Sequence, residues 1–120
     1  MFEANHLTRY YAAVDAGDFS LAAAALAPDV TFAIHLPAGA SRGSTSGELI
    51  DYLSGRGDVD RAHHPLRTGV DGDLEFVYGE VTQDGATTGS FLAAVRVRDG
   101  LIDRYQVSFD PELSLLQEAP

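Results

Sequence analysis

The sequence predicts an α+β fold in which three N-terminal helices cover one face of a curved, largely antiparallel sheet. Three observations carry it. Residues 4 to 16, 19 to 26 and 46 to 54 repeat their apolar positions at helical spacing. Almost everything from Arg61 onward alternates at strand spacing. Asp-Gly pairs at Asp71-Gly72, Asp84-Gly85 and Asp99-Gly100 cut that alternating half into strands, and Asp-Gly is a strong hairpin signal because a type I′ turn needs positive φ at both central residues. Helices that come first and a meander that follows give segregated layers rather than alternating βα units.

In the first helix Leu7, Tyr11 and Val14 share a stripe at i, i+4, i+7, with His6, Tyr10 and Ala13 beside it, and Gly17 stops it. Asp18 is an N-cap for an Ala-rich helix over Phe19 to Leu26, which Pro28 terminates. Val30 to Leu36 is β-rich and ends at Pro37 and Gly39. Ala38 to Ser44 reads as a loop. Thr45 and Glu48 form a capping box for a helix from Ser46 to about Ser54, with Leu49, Ile50 and Leu53 inward. Strands follow over Arg61 to Val70, Leu74 to Thr82, Thr87 to Arg98 and Leu101 to Asp110, and Leu113 to Pro120 reads as a frayed tail.

The length, 120 residues, fits one domain spanning 1–120. Eighteen acidic against eight basic residues, a formal charge of −10, argue against nucleic acid, whose phosphates are neutralised by Lys and Arg. No apolar run approaches the ~18 residues of a membrane helix, and Met1-Phe-Glu-Ala lacks the basic start of a signal peptide, so a cytoplasmic protein without membrane contact is expected. The chain has no cysteine and no lysine, which removes disulfides, thiolate metal sites and Schiff-base chemistry. No phosphate loop, nucleophile elbow or dinucleotide fingerprint is present, and no cofactor or metal is expected.

Arg9-Tyr-Tyr-Ala-Ala-Val-Asp-Ala-Gly-Asp18, Leu26-Ala-Pro-Asp-Val-Thr31 and Val97-Arg-Asp-Gly-Leu-Ile102, in this element order, resemble the nuclear-transport-factor-2-like superfamily, and within it the SnoaL-like group of polyketide cyclases. The resemblance spans residues 4 to 112. It implies a cystatin-like cone of sheet and helices around an apolar pocket, and a homodimer paired through the convex sheet face. In ketosteroid isomerases a tyrosine matching Tyr10 donates to the enolate oxygen, while the positions of the two acids fall near Ile34 and Ala93. Epoxide-hydrolase-like relatives need an Arg and an Asp that would fall near Ala86 and Thr88. SnoaL-like cyclases place a base on the last strand, and there Asp110 matches.

Strand parity puts Asp110, Ser108 and Gln106 on one face and Phe109, Val107 and Tyr105 on the other. Two assignments are open. Either the polar set walls the pocket and the apolar trio meets a partner subunit, or the trio is core and the polar set is solvated; the family's inward acid favours the first. His35 ends the first strand, where it either shuttles a proton at the pocket mouth or caps a loop. Of His63 and His64 only one can face inward; His64 shares parity with Ala62, Leu66 and Val70 and is the expected one, as a pocket group or as a satisfied core or interface histidine. Tyr52, Tyr78, Glu80, Ser90 and Ile34 are further candidate pocket liners.

The function expected from these residues is a cofactor-independent acid–base enzyme, of cyclase, isomerase or dehydratase type. Its substrate is a small apolar carbonyl compound such as a polyketide or terpenoid intermediate. Asp110 serves as base, His35 or His64 as acid or relay, and Tyr10 as donor to the oxyanion. The alternative is a non-catalytic ligand-binding or dimerisation module on the same fold.

Overall fold

The computed structural model describes residues 5–57 and 60–117. Their order is α1 (His6–Asp15), α2 (Phe19–Ala24), β1 (Leu26–Leu36), β2 (Gly39–Gly43), α3 (Ser46–Ser54), β3 (Arg61–Asp71), β4 (Leu74–Gln83), β5 (Ala86–Arg98) and β6 (Leu101–Asp110). One mixed six-stranded sheet runs β2-β1-β6-β5-β4-β3. Only the β1–β6 pair is parallel; every other neighbour is antiparallel. This is the expected α+β layout.

Local chemistry explains most boundaries. Asn5 and Thr8 form a capping box at the start of α1, and the end of α1 is a Schellman motif, with Gly17 at φ +73° and the Asp18 N–H donating to the Ala13 carbonyl. The expected start at residue 4 lies outside the described residues. Asp18 then caps α2 by accepting from the Leu21 N–H at 3.0 Å, and α2 ends two residues earlier than expected because Leu26 already pairs with Ile102 on β6. Thr45 caps α3 as anticipated, although the Glu48 carboxylate reaches the Ser44 N–H rather than that of Thr45. The hairpins at Asp84-Gly85 and Asp99-Gly100 have positive φ at both residues, whereas in the first hairpin Asp71 stays in the strand and only Gly72 is left-handed.

Three features depart from the sequence expectation. Ala38 to Ser44 is not all loop: Gly39–Gly43 turns back on β1 as an edge strand, whose Gly-Ala-Ser-Arg-Gly composition carries no strand signal. β3 is bulged between Pro65 and Arg67, at an edge where a residue without an N–H is tolerated. Gly79 opposite makes this possible, since a Cβ there would collide with the His64 backbone carbonyl. The C-terminal segment, expected to fray, folds back along the convex face: Ser90 donates to the Leu113 carbonyl, Leu115 N–H to the Tyr78 hydroxyl at 2.6 Å, and Gln117 to Glu80 at 2.6 Å. Residues 118–120 lie outside the described residues.

The helices pack into the concave side of the sheet. Leu7, Tyr10, Tyr11, Leu49, Val77, Phe91, Val95, Ile102 and Tyr105 form its core. α1 lies across β3, β4 and β5 and is fastened at each end by a carboxylate. Glu75 of β4 accepts from the Leu7 N–H at 3.1 Å and meets His6 Nδ1 at 2.7 Å; Asp15 at the other end reaches β3.

Candidate functional site

Between the helices and the concave face lies an open cavity of about 450 Å³, walled mainly by apolar side chains such as Val14, Ile34, Phe91, Val107 and Phe109. Its polar groups include Tyr52, Gln83, Thr88 and Tyr105 and, most relevant to chemistry, five more. Tyr10 and Tyr11 project from α1, Arg56 follows the end of α3, and Arg61 and His63 stand two residues apart on β3, so that they share a face.

His63 is held on two sides. One Asp15 oxygen accepts from the His63 backbone N–H at 2.7 Å and the other meets Nδ1 at 2.7 Å, so the carboxylate fixes both the strand and the ring. An ionised carboxylate only accepts, which places the proton on Nδ1 and leaves the Nε2 lone pair available. The ring stacks on Tyr11 with centroids 4.3 Å apart and meets Phe91 edge-on at 5.3 Å. Nε2 has no protein hydrogen-bond partner among the described residues. A basic nitrogen on a cavity wall, oriented by a largely buried carboxylate, is the arrangement a general base requires.

Three phenols sit beside it. Tyr11 and Tyr105 share a hydrogen bond of 2.5 Å, while the Tyr10 hydroxyl is buried with no partner among the described residues. Burial pushes all three phenols well above the ordinary tyrosine value, so they remain protonated donors across the physiological range. The Tyr10 O–H is the one of the three phenols whose hydroxyl has no partner among the described residues. No group of three or more His, Cys, Asp or Glu side chains among the described residues comes together to hold a metal ion.

Residues 7–105 match the SnoaL-like domain family. The chain belongs to that family. None of the curated protein sequences matches it. Among solved structures, a candidate ketosteroid isomerase from Kribbella flavida DSM 17836 superposes with a TM-score of 0.77 at 19% identity, over 96% of this chain and 87% of that one. IdmH, a candidate polyketide cyclase from Streptomyces antibioticus, gives 0.72 at 19%, over 88% and 89%. An LEH-like epoxide hydrolase from M. tuberculosis gives 0.72 at 20%, over 88% and 80%. At these identities the likeness is one of fold.

This SnoaL-like domain distributes the sequence-derived candidates unevenly. Tyr10, Tyr52 and Ile34 line the cavity. Asp110 does not: it is exposed, on the convex face, and its Oδ1 accepts from the Glu112 and Leu113 N–H groups at 2.8 and 2.9 Å. Those bonds hold its carboxyl below the usual carboxylate range and fold the C-terminal segment back. Gln106 and Ser108 share its outward face, and Tyr105, Val107 and Phe109 wall the cavity. The face assignment favoured from sequence is therefore reversed, because the apolar face of the strand is the one buried against the helices and the polar face is left to solvent.

His35 also lies outside the cavity, beside Gln106 at 3.5 Å. His64 is exposed and hydrogen-bonded to Thr82 at 2.9 Å. Its expected inward parity was counted to Leu66 and Val70 across the β3 bulge, and one extra residue inverts such a count; His63 is the inward histidine. Tyr78 and Ser90 bond the C-terminal segment rather than the cavity. Asp15 was not singled out at all. Its only sequence signal is an acid in the last turn of a helix, where the macrodipole disfavours it.

Proposed function

We propose that this SnoaL-like domain is a cofactor-independent acid–base catalyst that removes and returns a proton on a small apolar carbonyl compound, in a cyclisation, isomerisation or dehydration. The observation that carries this reading is His63 on the cavity wall, held from behind by Asp15. His63 Nε2 takes a proton from the carbon beside the carbonyl. The C–H electron pair moves into the enolate, and the developing oxyanion is met by the Tyr10 hydroxyl on a wall that is mainly apolar. The imidazolium, stabilised by Asp15, then returns the proton at a second position or to a leaving oxygen. Polyketide and terpenoid intermediates fit the apolar wall.

The test uses 2-tetralone, an apolar ketone with acidic α-protons, and follows their exchange in D₂O by NMR. Wild-type protein accelerates exchange, and His63→Asn lowers that acceleration by about 10²–10⁴-fold, the usual worth of a general base. Unchanged exchange in a folded His63→Asn variant refutes the assignment.

The same reading includes a homodimer through the convex face. Leu74, Phe76 and Leu92 on adjacent strands β4 and β5 are 39, 36 and 52% exposed there, an apolar patch that pairing would cover. Light scattering of the purified chain tests this; a monomer at high micromolar concentration rules it out.

A further inference from the structure

The histidine and the phenols leave the cavity's two cations unused. Arg56 and Arg61, two of the eight arginines in a lysine-free chain, both line it. Arg56 is half-buried and its Nε is fully buried with no hydrogen-bond partner among the described residues. Neither guanidinium forms an ion pair among the described residues. No described Asp or Glu side chain belongs to the cavity wall, because Asp15 grips His63 from outside it. The two cations also feel each other: burial first, and then the charge of Arg61, lowers the Arg56 pKa. A guanidinium partly drawn out of water, with a second on the same cavity wall, is costly unless an anion completes it.

We propose that the cavity takes its substrate as a carboxylate, with the acid group held between Arg56 and Arg61 and the apolar body against Phe91, Val107 and Phe109. This deepens, and rests on, the reading of the cavity as the substrate site. The planar fork of arginine fits a carboxylate through two parallel hydrogen bonds, and Gln83, paired in register with Arg61, adds an amide on the same wall. The chain's net charge of −10 does not prevent it, since charges beyond a Debye length of about 10 Å are screened while a contact pair is not. Arg61 and His63 share one face of β3 with Cα atoms ~7 Å apart, which sets the reacting carbon within a few bonds of the carboxylate. The substrate class is then an apolar keto acid.

The experiment compares two probes of one shape, naphthalene-2-carboxylate and its neutral methyl ketone 2-acetylnaphthalene, by calorimetric titration of the full chain at neutral pH. The carboxylate is expected to bind at least about tenfold more tightly, with an affinity that falls as salt rises. R56Q and R61Q each lose most of that preference without weakening the ketone, and R56K with R61K keeps part of it. A ketone bound as tightly as the acid overturns the proposal. So does a preference that survives folded R56Q and R61Q, or a carboxylate that does not bind at millimolar concentration. The acid–base reading fails separately: His63→Asn with unchanged 2-tetralone exchange removes the base and leaves the carboxylate preference standing, whereas a missing preference with His63-dependent exchange does the reverse.

Discussion

Replacing Asp15 by Asn keeps the shape of the contact to His63 and removes its charge. In the wild-type chain one carboxylate makes two contacts of 2.7 Å, to the His63 backbone N–H and to Nδ1. Asparagine offers one acceptor and one donor, so a single good bond survives. Losing one charge-assisted bond costs about 1.5–3 kcal/mol, and relief of the unfavourable helix C-terminus returns about 0.3–1 kcal/mol. The net loss, about 0.5–2.7 kcal/mol, corresponds to a fall in Tm of about 2–11 °C for a domain of this size. Rate is affected differently. An imidazolium and a carboxylate with charge centres ~4 Å apart attract by about 4 kcal/mol at an effective dielectric of 20. Residual solvent access reduces that, so loss of the anion slows exchange by about 10²–10³-fold. The assay is 2-tetralone exchange with circular dichroism as the folding control, run as a cycle in which D15N is added to H63N. In that background D15N has almost no further effect, because the two act as a unit. A folded D15N variant within twofold of wild type, or one that slows H63N as much as it slows the parent, would refute the coupling.

Tyr105→Phe leaves the buried Tyr11 hydroxyl without its 2.5 Å partner. It is expected to cost about 1–3 kcal/mol, while the double change to Phe at both positions costs less than the sum of the single ones; chemical denaturation checks this. The phenols of Tyr10, Tyr11 and Tyr105 titrate higher in the folded state than their unfolded value of ~10. Their contribution to stability is therefore complete below that pH and lost as pH rises through and above it. Phenolate absorbance from these three should emerge only as the fold melts in alkali; its appearance before loss of the circular dichroism signal would contradict the burial. Asp110→Asn should leave tetralone exchange within twofold and lower Tm only above about pH 4. Asp110 has its pKa depressed in the folded state, so the wild-type advantage disappears on acidification.

Turn chemistry and helix caps were legible residue by residue. Asp18, Thr45, Gly17 and the Asp-Gly pairs impose geometry through bonds to their own neighbours, so no distant information is needed to read them. β2 was not legible because what holds Gly39–Gly43 is its pairing with β1. Nor was the seating of Pro111 to Gln117, which depends on hydroxyls of Tyr78 and Ser90 that become neighbours only when β4 and β5 pair. The β3 bulge shows the same limit in its sharpest form, since parity along a strand holds only while the ladder is regular. The insertion between Pro65 and Arg67 exchanged His64 for His63 without altering the composition of the strand.

The site itself was half visible, and the half that was missed lies in a local contradiction. Both ends of α1 present one carboxylate that engages a histidine Nδ1 and a backbone N–H. At the N-terminus Glu75 meets His6 and Leu7 where the helix dipole welcomes an anion, and the His6 side chain is 36% exposed. That contact fastens the helix. At the C-terminus Asp15 sits where the dipole opposes it, on a histidine whose side chain is 10% exposed and faces the cavity. An anchor alone needs only an acceptor for the His63 N–H, which a neutral asparagine supplies without the dipole cost. An acid at an electrostatically poor position, aimed at the one inward histidine, suits the proposed reaction, in which that histidine becomes charged. The sequence carries the contradiction openly as Asp15 in the last turn, but it acquires meaning only once the bulged β3 brings His63 beside it.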